Sequence, residues 1–185
     1  MLIIGFTGKQ KSGKTMLSNY LYKEYGFINT GFKSTLITEI LDKFPILLDR
    51  LMEIYNIKHI MDLFVEKPPA MRALMQEYGT DVRRNDDKDY WVKRFVDMLD
   101  KMKEDGCDMI SVDDVRFLNE ADTIKKQNGK VIMVRKPGCD GDGHISEKEM
   151  DLIEPDFFVD NSFDKDYAYK QLDEIMEKLN IKKLN

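Results

Sequence analysis

The residues with the clearest chemical meaning form a loop close to the N-terminus. The stretch Gly8-Lys9-Gln10-Lys11-Ser12-Gly13-Lys14-Thr15 satisfies the pattern G-x-x-x-x-G-K-[ST] in full. Glycines let consecutive N–H groups turn toward one point, where they and a helix N-terminus attract phosphate oxygens. In such a loop the lysine reaches the β- and γ-phosphates and the hydroxyl is offered to Mg²⁺. The loop from Gly8 to Thr15 is therefore predicted to bind ATP, with Lys14 on its phosphates and Thr15 on the metal.

A surface turn could match this pattern by chance, with Lys9 and Lys11 as ordinary solvated lysines. The position of the loop argues against that alternative. The apolar run from Leu2 to Phe6 is typical of a buried parallel strand. Apolar residues then recur at helical spacing from Gly13 to Tyr25, and Gly26 is a plausible helix end. A phosphate-binding loop belongs between a strand and a helix of this kind.

A second set of polar residues follows another apolar run, Met109 to Val112. Asp113, Asp114 and Arg116 come directly after it, at the carboxyl edge where open α/β sheets bind ligands. The carboxylates could hold Mg²⁺, and we assign this role to Asp114 together with Thr15. The planar guanidinium of Arg116 suits a phosphate or the charge that builds on a transferring group. The alternative for either aspartate is to cap the helix that starts near Asn119.

The elements around these residues alternate between strand and helix. Further strands are expected at Phe27 to Phe32, Met109 to Val112, Lys130 to Val134 and Phe157 to Val159. Helices are expected after Ser34 as a cap, in one or two pieces from Ile46 to Pro69, from Met71 to Tyr78 with Gly79 as its end, and at 90–104, 118–127 and 166–179. Five strands that alternate with helices predict an α/β fold with a parallel sheet between two helical layers.

Composition limits the class of protein. The 185 residues suit one domain, 1–185, and the net charge of −5 opposes non-specific binding to a nucleic acid polymer. Cys107 and Cys139 form neither a zinc nor a redox motif, which favours a reducing cytoplasm. No apolar stretch approaches the length of a membrane span. We therefore expect a cytoplasmic protein that binds small molecules; a homodimer is compatible with the sequence.

Several blocks of the chain resemble the phage-type deoxynucleoside monophosphate kinases, a branch of the P-loop nucleoside monophosphate kinases. One block runs from Met71 to Asp81, with Arg84 and Trp91-Val92 downstream. Asp114-Val115-Arg116-Phe117, Arg135-Lys136-Pro137-Gly138 and His144-Ile145-Ser146-Glu147 then follow in the order of that family. The resemblance implies a three-layer P-loop kinase fold, an acceptor-binding region at about 33–95 and a lid at about 135–155. For a phage protein the compartment would be the host cytoplasm.

The same resemblance implies a role for each residue in these blocks. Transfer of the γ-phosphoryl group of ATP to a deoxynucleoside monophosphate would involve Lys14, Arg116, Arg135 and Asp114. The remaining residues of the acceptor pocket would be Lys33, Arg72, Gln76, Thr80, Asp81, Arg84 and Trp91, and Arg135 and His144 would belong to the lid. Lys136 stands where the family more often has a second arginine, and the 45–69 segment has no counterpart in the pattern.

Some of these residues also have simpler interpretations. Trp91 lies on an apolar helix stripe and could be a core residue, and His144 could be an ordinary loop histidine. Arg83 and Arg84 precede Asn85-Asp86-Asp87 and could form a solvated charge cluster. The rival functions are a kinase of another small phosphate, similar to phosphomevalonate kinase, and a non-catalytic nucleotide-binding module. A switch GTPase is excluded, because the chain lacks an Asn-Lys-x-Asp base-reading motif.

Overall fold

The computed structural model describes residues 1–139 and 149–184. Its parallel sheet has five strands in the order β2-β3-β1-β4-β5. The strands are β1 (Leu2–Thr7), β2 (Ile28–Thr30), β3 (Met109–Val112), β4 (Lys130–Arg135) and β5 (Phe157–Asp160). The α-helices include α1 (Lys14–Tyr25), α2 (Phe32–Lys43), α3 (Pro45–Tyr55), α4 (Ile60–Glu66), α5 (Pro69–Gln76), α6 (Tyr90–Glu104), α7 (Leu118–Lys126) and α8 (Lys165–Lys178). A π-helix, Glu77–Arg84, continues directly from α5. The predicted α/β class with a five-stranded parallel sheet is confirmed.

The chain divides into two compact units. The first consists of Met1–Phe32 and Leu99–Asn185, and the second of Lys33–Met98. The second unit thus contains the whole segment 45–69, which folds as the helices α3 and α4. The predicted bounds of an acceptor-binding region and a lid are assignments of function, and they stay predictions.

The first unit is built in three layers because residues of β1 alternate between the two faces of the sheet. Ile4 and Phe6 are buried in one core with α1 and α8. Gly5 faces the opposite side, where a Cβ atom would lie 2.5 Å from Ile124 Cδ1 on α7. A side chain at Gly5 would therefore force Ile124 to shift, so the glycine suits the close approach of α7 to the central strand. Asp173 on α8 also accepts hydrogen bonds from Tyr20 and Tyr25, which attaches α8 to the helix that follows the phosphate-binding loop.

The second unit is helical and has its own core. Its buried residues are Ile40, Leu48, Leu51, Leu63, Phe64, Met71, Tyr78 and Trp91. Two of the helices, α3 and α5, begin with proline, which suits the first turn because its missing N–H would have no partner there. None of the helices in residues 1–139 and 149–184 combines the length and the apolar character that a membrane span requires.

Two helix boundaries differ from the prediction. Ser34 was expected to cap α2, but β2 ends at Thr30 and the helix already begins at Phe32, so Ser34 lies inside its first turn. Gly79 was expected to end the helix that contains Met71. Gly26, which does end α1, has a φ of 75°, whereas Gly79 has no positive φ and the chain continues through it as the π-helix. A glycine without the left-handed conformation does not supply the usual stop.

Candidate active site

The loop between β1 and α1 has the backbone geometry of a phosphate cradle. Gly8 and Gly13 have φ values of 136° and 110°, which side-chain-bearing residues rarely adopt. A Cβ atom on Gly8 would lie 2.3 Å from the carbonyl oxygen of Val134, and one on Gly13 would lie 2.4 Å from Asn161 Nδ2. Both glycines are thus required by conformation and by space. The loop ends at the N-terminus of α1, whose first turn contains no acidic residue that would repel an anion.

Lys14 places its ammonium group on the loop itself. Its Nζ donates hydrogen bonds to the carbonyl oxygens of Gly8 (2.6 Å) and Lys9 (2.8 Å). The side chain is partly exposed, so the charge is held at the loop and is still accessible to solvent. This position suits a lysine that binds a phosphate in the same loop.

Asn161 supports the cradle from the end of β5 and was missed in the sequence. Its Nδ2 donates to the carbonyl oxygen of Ser12 (2.8 Å), and its backbone N–H donates to the carbonyl oxygen of Arg135 (2.8 Å). Only 6 % of Asn161 is exposed. The rule that selected Asp113, a polar side chain directly after a parallel strand, would also have selected Asn161 after β5.

Two buried hydroxyls adjoin the same loop. The Oγ1 of Thr7 and the Oγ of Ser12 have no hydrogen-bond partner within the described part of the chain. Buried hydroxyls normally find a partner, since leaving one unsatisfied costs about 1–3 kcal/mol. Ser12 Oγ lies 3.1 Å from the position that a Cβ on Gly8 would occupy, so it is located on the inner turn of the cradle.

Two residues near the end of the predicted lid, Met150 and Asp151, pack against the first turn of the loop. The N–H of Gly8 donates to the thioether sulfur of Met150 at 3.2 Å, and this contact is buried. Lys9 forms an ion pair of 3.0 Å with Asp151. The carboxylate of Asp151 partly neutralises the positive charge that Lys9 brings to the loop. Neither Met150 nor Asp151 carried a signal in the sequence.

The two aspartates after β3 have different partners. The hydroxyl of Thr15 donates to Asp113 Oδ2 at 2.5 Å. Asp114 Oδ1 instead accepts the backbone N–H of Phe32 at 3.2 Å. The predicted pair was Thr15 with Asp114, whereas the hydroxyl of Thr15 bonds Asp113; a role of Asp114 at the metal stays a prediction. Thr15 and Asp113 form the oxygen pair that could hold Mg²⁺.

Arg116 lies in the loop between β3 and α7 with its side chain exposed. Its backbone N–H donates to Glu120 Oε2 at 2.8 Å, and the N–H of Phe117 donates to the same oxygen at 3.1 Å. Phe117 is the N-cap residue of α7. The alternative of an aspartate cap is therefore wrong, and the arginine side chain is not needed to start the helix.

Arg135, at the end of β4, borders a pocket beside the phosphate loop. Its guanidinium carbon lies 4.3 Å from the centre of the Phe158 ring, a cation–π contact. The pocket has a volume of about 480 Å³ and is lined by Arg135, Lys136, Pro137, Phe158, Val159, Asp160, Ser162 and Gln171. His144, the other predicted lid residue, lies outside the described residues.

Residues predicted to bind the acceptor are mostly on the surface of the second unit. Arg72 and Gln76 are exposed and share one face of α5, as their spacing of four predicts. Thr80, Asp81 and Arg84 all belong to the π-helix, an element that is frequently found at functional sites. Lys33 is exposed in the first turn of α2.

Trp91 does not present its ring to a ligand. Only 4 % of the residue is exposed, and the indole N–H donates to the carbonyl oxygen of Gly79 at 2.7 Å. Its assignment to the acceptor pocket is therefore corrected: the indole packs in the core and binds the backbone of the π-helix. A buried tryptophan usually finds such a partner for its N–H.

A largely buried carboxylate, that of Glu39 on α2, is the centre of a network that the sequence did not reveal. Glu39 accepts hydrogen bonds from Tyr78, Tyr90 and Arg83, and the Arg83 ion pair measures 2.6 Å. Burial alone would raise the pKa of Glu39, but these three donors together lower it below its ordinary value. Burial and the neighbouring carboxylate raise the pKa of Tyr78 to about 12. Arg83 is therefore an internal partner and not part of a solvated charge cluster.

We expect Glu39→Ala to lower the free energy of unfolding by about 2–3 kcal/mol, because a guanidinium and two hydroxyls lose their shared acceptor. Denaturant titration measures the change, with the exposed Glu53→Ala in the same unit as the control. The folded state has the lower pKa, so the stabilisation by Glu39 is present above the pKa of an unfolded glutamate, about 4.3. Wild type should lose this stabilisation as the pH falls through the pKa of Glu39 in the folded state. Glu39→Ala should show no such loss. Equal free energies of unfolding of wild type and Glu39→Ala at pH 7 would contradict this account.

Comparison with known proteins gives the family. The deoxynucleotide monophosphate kinase family matches residues 32–172 of the chain. A candidate deoxynucleotide monophosphate kinase of Acanthamoeba polyphaga mimivirus is 31 % identical over 165 residues, which cover 83 % of this chain and 84 % of the viral protein.

Solved structures show the same fold. A sugar kinase of Janibacter sp. has a TM-score of 0.53 at 14 % identity, over 98 % of this chain and 95 % of the other. A Thermus thermophilus protein has the same TM-score and identity, over 96 % and 97 %. At this identity the likeness concerns the fold alone. The extent of the sequence match, over residues that include the Asp-Val-Arg-Phe block, shows that the chain belongs to the deoxynucleotide monophosphate kinase family.

Proposed function

We propose that this chain transfers the γ-phosphoryl group of ATP to a deoxynucleoside monophosphate, giving the diphosphate and ADP, with the Gly8 to Thr15 loop as the ATP site. Membership of the family makes it an ATP-dependent phosphotransferase. The observation that carries the residue assignment is the loop geometry, in which two glycines at positive φ curve the backbone around the ammonium of Lys14. The unsatisfied hydroxyl of Ser12 would gain a phosphate oxygen as its partner.

The base of ATP would occupy the pocket beside Arg135. Its volume of about 480 Å³ suits a purine with its ribose, and the half-exposed ring of Phe158 offers an apolar surface. Asn161 joins this pocket to the phosphate loop, because it bonds both the carbonyl of Ser12 and that of Arg135. One buried residue, through its side chain and its backbone N–H, would thus set the distance between the base site and the phosphate site.

Mg²⁺ is the metal that the family chemistry implies, and Thr15 and Asp113 fit it. Both present oxygen atoms, the donor type that Mg²⁺ prefers, and these atoms are 2.5 Å apart. When bound, the ion supplies neutralisation of charge on the phosphate oxygens. Thr15 would bind it directly and Asp113 through water, and the nucleotide would complete the coordination.

Phosphoryl transfer needs donor and acceptor held in line while cations stabilise the spreading charge. Lys14 would hold the β- and γ-phosphates, Arg116 would bind the phosphate of the acceptor, and Arg135 would contribute charge from the end of β4. No side-chain nucleophile is required. Arg72, Gln76, Thr80, Asp81, Arg84 and Lys33 would bind the acceptor nucleotide from the second unit.

The likeness to a viral protein supports a virus-encoded enzyme of deoxynucleotide synthesis that acts in the cytoplasm of the host. The net charge of −5 supports small nucleotides over a nucleic acid polymer as partners, since a polyanion would be repelled. A homodimer is compatible with this proposal.

We expect ADP release from ATP to depend on added deoxynucleoside monophosphate. A coupled assay would compare all four deoxynucleoside monophosphates, their ribose counterparts and phosphomevalonate. The variant Lys14→Ala, purified in parallel, measures any contaminating kinase. Release of ADP with phosphomevalonate alone would support the rival kinase, and nucleotide binding without acceptor-dependent turnover would support a non-catalytic module. Either outcome would overturn the proposal.

A further inference from the structure

Asp114 connects the ligand-binding edge of the sheet to the start of α2. It follows β3 by two positions, between Asp113 and Arg116, and its carboxylate accepts the backbone N–H of Phe32 at 3.2 Å. Phe32 is the first residue of α2 and the last residue of the first unit before the chain enters the second. The carboxylate therefore binds the chain at the point where the first unit ends.

Gly31 makes room for this contact. A Cβ atom on Gly31 would lie 2.2 Å from Asp114 Oδ1 and 2.7 Å from its carboxyl carbon. Gly31 has no left-handed φ, so the backbone there would accept alanine. Space for the carboxylate, and not backbone conformation, is thus the reason that a side chain does not fit.

An acidic group at this position has a physical role. The first N–H groups of a helix lack partners within the helix, and a carboxylate beside them satisfies one donor and interacts favourably with the helix dipole. Asp114 supplies this cap to the twelve-residue helix α2 from a distant part of the sequence. Asp113 accepts a hydrogen bond from Thr15 instead. The two adjacent carboxylates therefore contact different elements, α1 and α2.

We infer that Asp114 is a positioning residue of the phosphotransferase, which fixes the start of α2 at the strand end that also presents Asp113 and Arg116. This inference rests on the proposed function, because α2 presents Lys33, one of the proposed acceptor-binding residues, immediately after Phe32. In this role Asp114 acts on the reaction through the backbone of α2, whose first N–H it accepts.

The first test compares Asp114→Ala with Asp114→Asn. Alanine removes the acceptor of the Phe32 N–H, and we expect the KM for the deoxynucleoside monophosphate to rise about 5- to 10-fold while the KM for ATP changes little. Asparagine keeps an oxygen acceptor and should restore most of the loss. The exposed Asp122→Ala on α7 is the matched control. A fall in kcat in both variants, with a higher requirement for Mg²⁺, would overturn the inference in favour of a metal-binding Asp114.

The second test uses Gly31→Ala. The added methyl group should displace the carboxylate and so reproduce the effect of Asp114→Ala. In the Asp114→Ala background no carboxylate remains to be displaced, and Gly31→Ala should then add nothing. The double variant should therefore match Asp114→Ala alone, which is a strongly non-additive result. Additive effects would show that the two residues act independently and would refute the inference.

Hydrogen exchange separates failure of this inference from failure of the proposed function. The Phe32 amide should exchange at least about tenfold faster in Asp114→Ala than in wild type or Asp114→Asn. This expectation does not depend on which acceptor the enzyme uses. If wild type lacks acceptor-dependent turnover but shows this pattern, the proposed function fails and the cap remains. If turnover is present and the Phe32 amide exchanges equally in all three proteins, the cap fails and the function remains.

Discussion

Lys14→Ala is expected to reduce kcat/KM for ATP by about 10²- to 10³-fold or more, the usual loss when one group that stabilises transferring charge is removed. The ammonium already lies on the carbonyl oxygens of Gly8 and Lys9, in the loop that is proposed to hold the β- and γ-phosphates. Alanine removes this charge and leaves the backbone curvature, which the two glycines determine. The measurement is steady-state kinetics at varied ATP, with circular dichroism to verify the fold.

The control for this variant is Lys23→Ala. Lys23 is an exposed lysine on the same helix, α1, and its removal changes the net charge by the same amount. A general effect of charge would lower activity in both proteins, whereas the proposed role affects Lys14 alone. Normal turnover of Lys14→Ala would refute the assignment of the loop as the ATP site.

Arg116→Ala should also cost about 10²- to 10³-fold in turnover, since the acceptor phosphate would lose its guanidinium. The helix after it should be unaffected, because the backbone N–H groups of Arg116 and Phe117, and not the arginine side chain, bind Glu120. Arg116→Lys keeps the charge without the planar pair of donors and should be intermediate. The assay should vary ATP and acceptor separately to show which substrate loses binding.

The control for Arg116→Ala is Lys126→Ala, a substitution of an exposed lysine on α7. Lys126 is the last residue of α7, away from the proposed site, so this substitution removes one positive charge and should leave turnover unchanged. Arg116→Ala with normal activity, or a loss of folded structure in that variant, would refute the proposed role.

The fold was predictable because its determinants are local. A continuous apolar strand, a glycine loop and an amphipathic helix follow one another in the first 26 residues, and later strands repeat the pattern. The prediction of a helix boundary was wrong where one residue type can serve more than one structural role. Gly79 looked like a helix end, yet it is buried against Leu36, and a Cβ there would lie 3.1 Å from that side chain. Whether a glycine serves a turn or a close contact is decided by tertiary packing.

The candidate site was predictable in composition but not in pairing. Sequence placed Asp113, Asp114 and Thr15 at one edge of the sheet, but the direction of each carboxylate depends on the loop after β3. The sequence did not predict roles for Glu39, Asn161 and Met150 for a similar reason. Their partners lie far away in the sequence. Glu39 resembles any surface glutamate until the fold brings Arg83 and two tyrosines to it.

The π-helix at Glu77–Arg84 has a consequence for how this chain can change by insertion and deletion. Its hydrogen bonds span five residues where an α-helix spans four, so the segment accommodates an extra residue. Loss of one residue there would let the segment relax into an α-helix, a gain in local stability. It would also change the directions in which the residues of the segment itself point, because they would then follow the narrower α-helical turn. Changes of length between Thr80 and Arg84 should therefore be selected against more strongly than exchanges of residue type at exposed positions nearby.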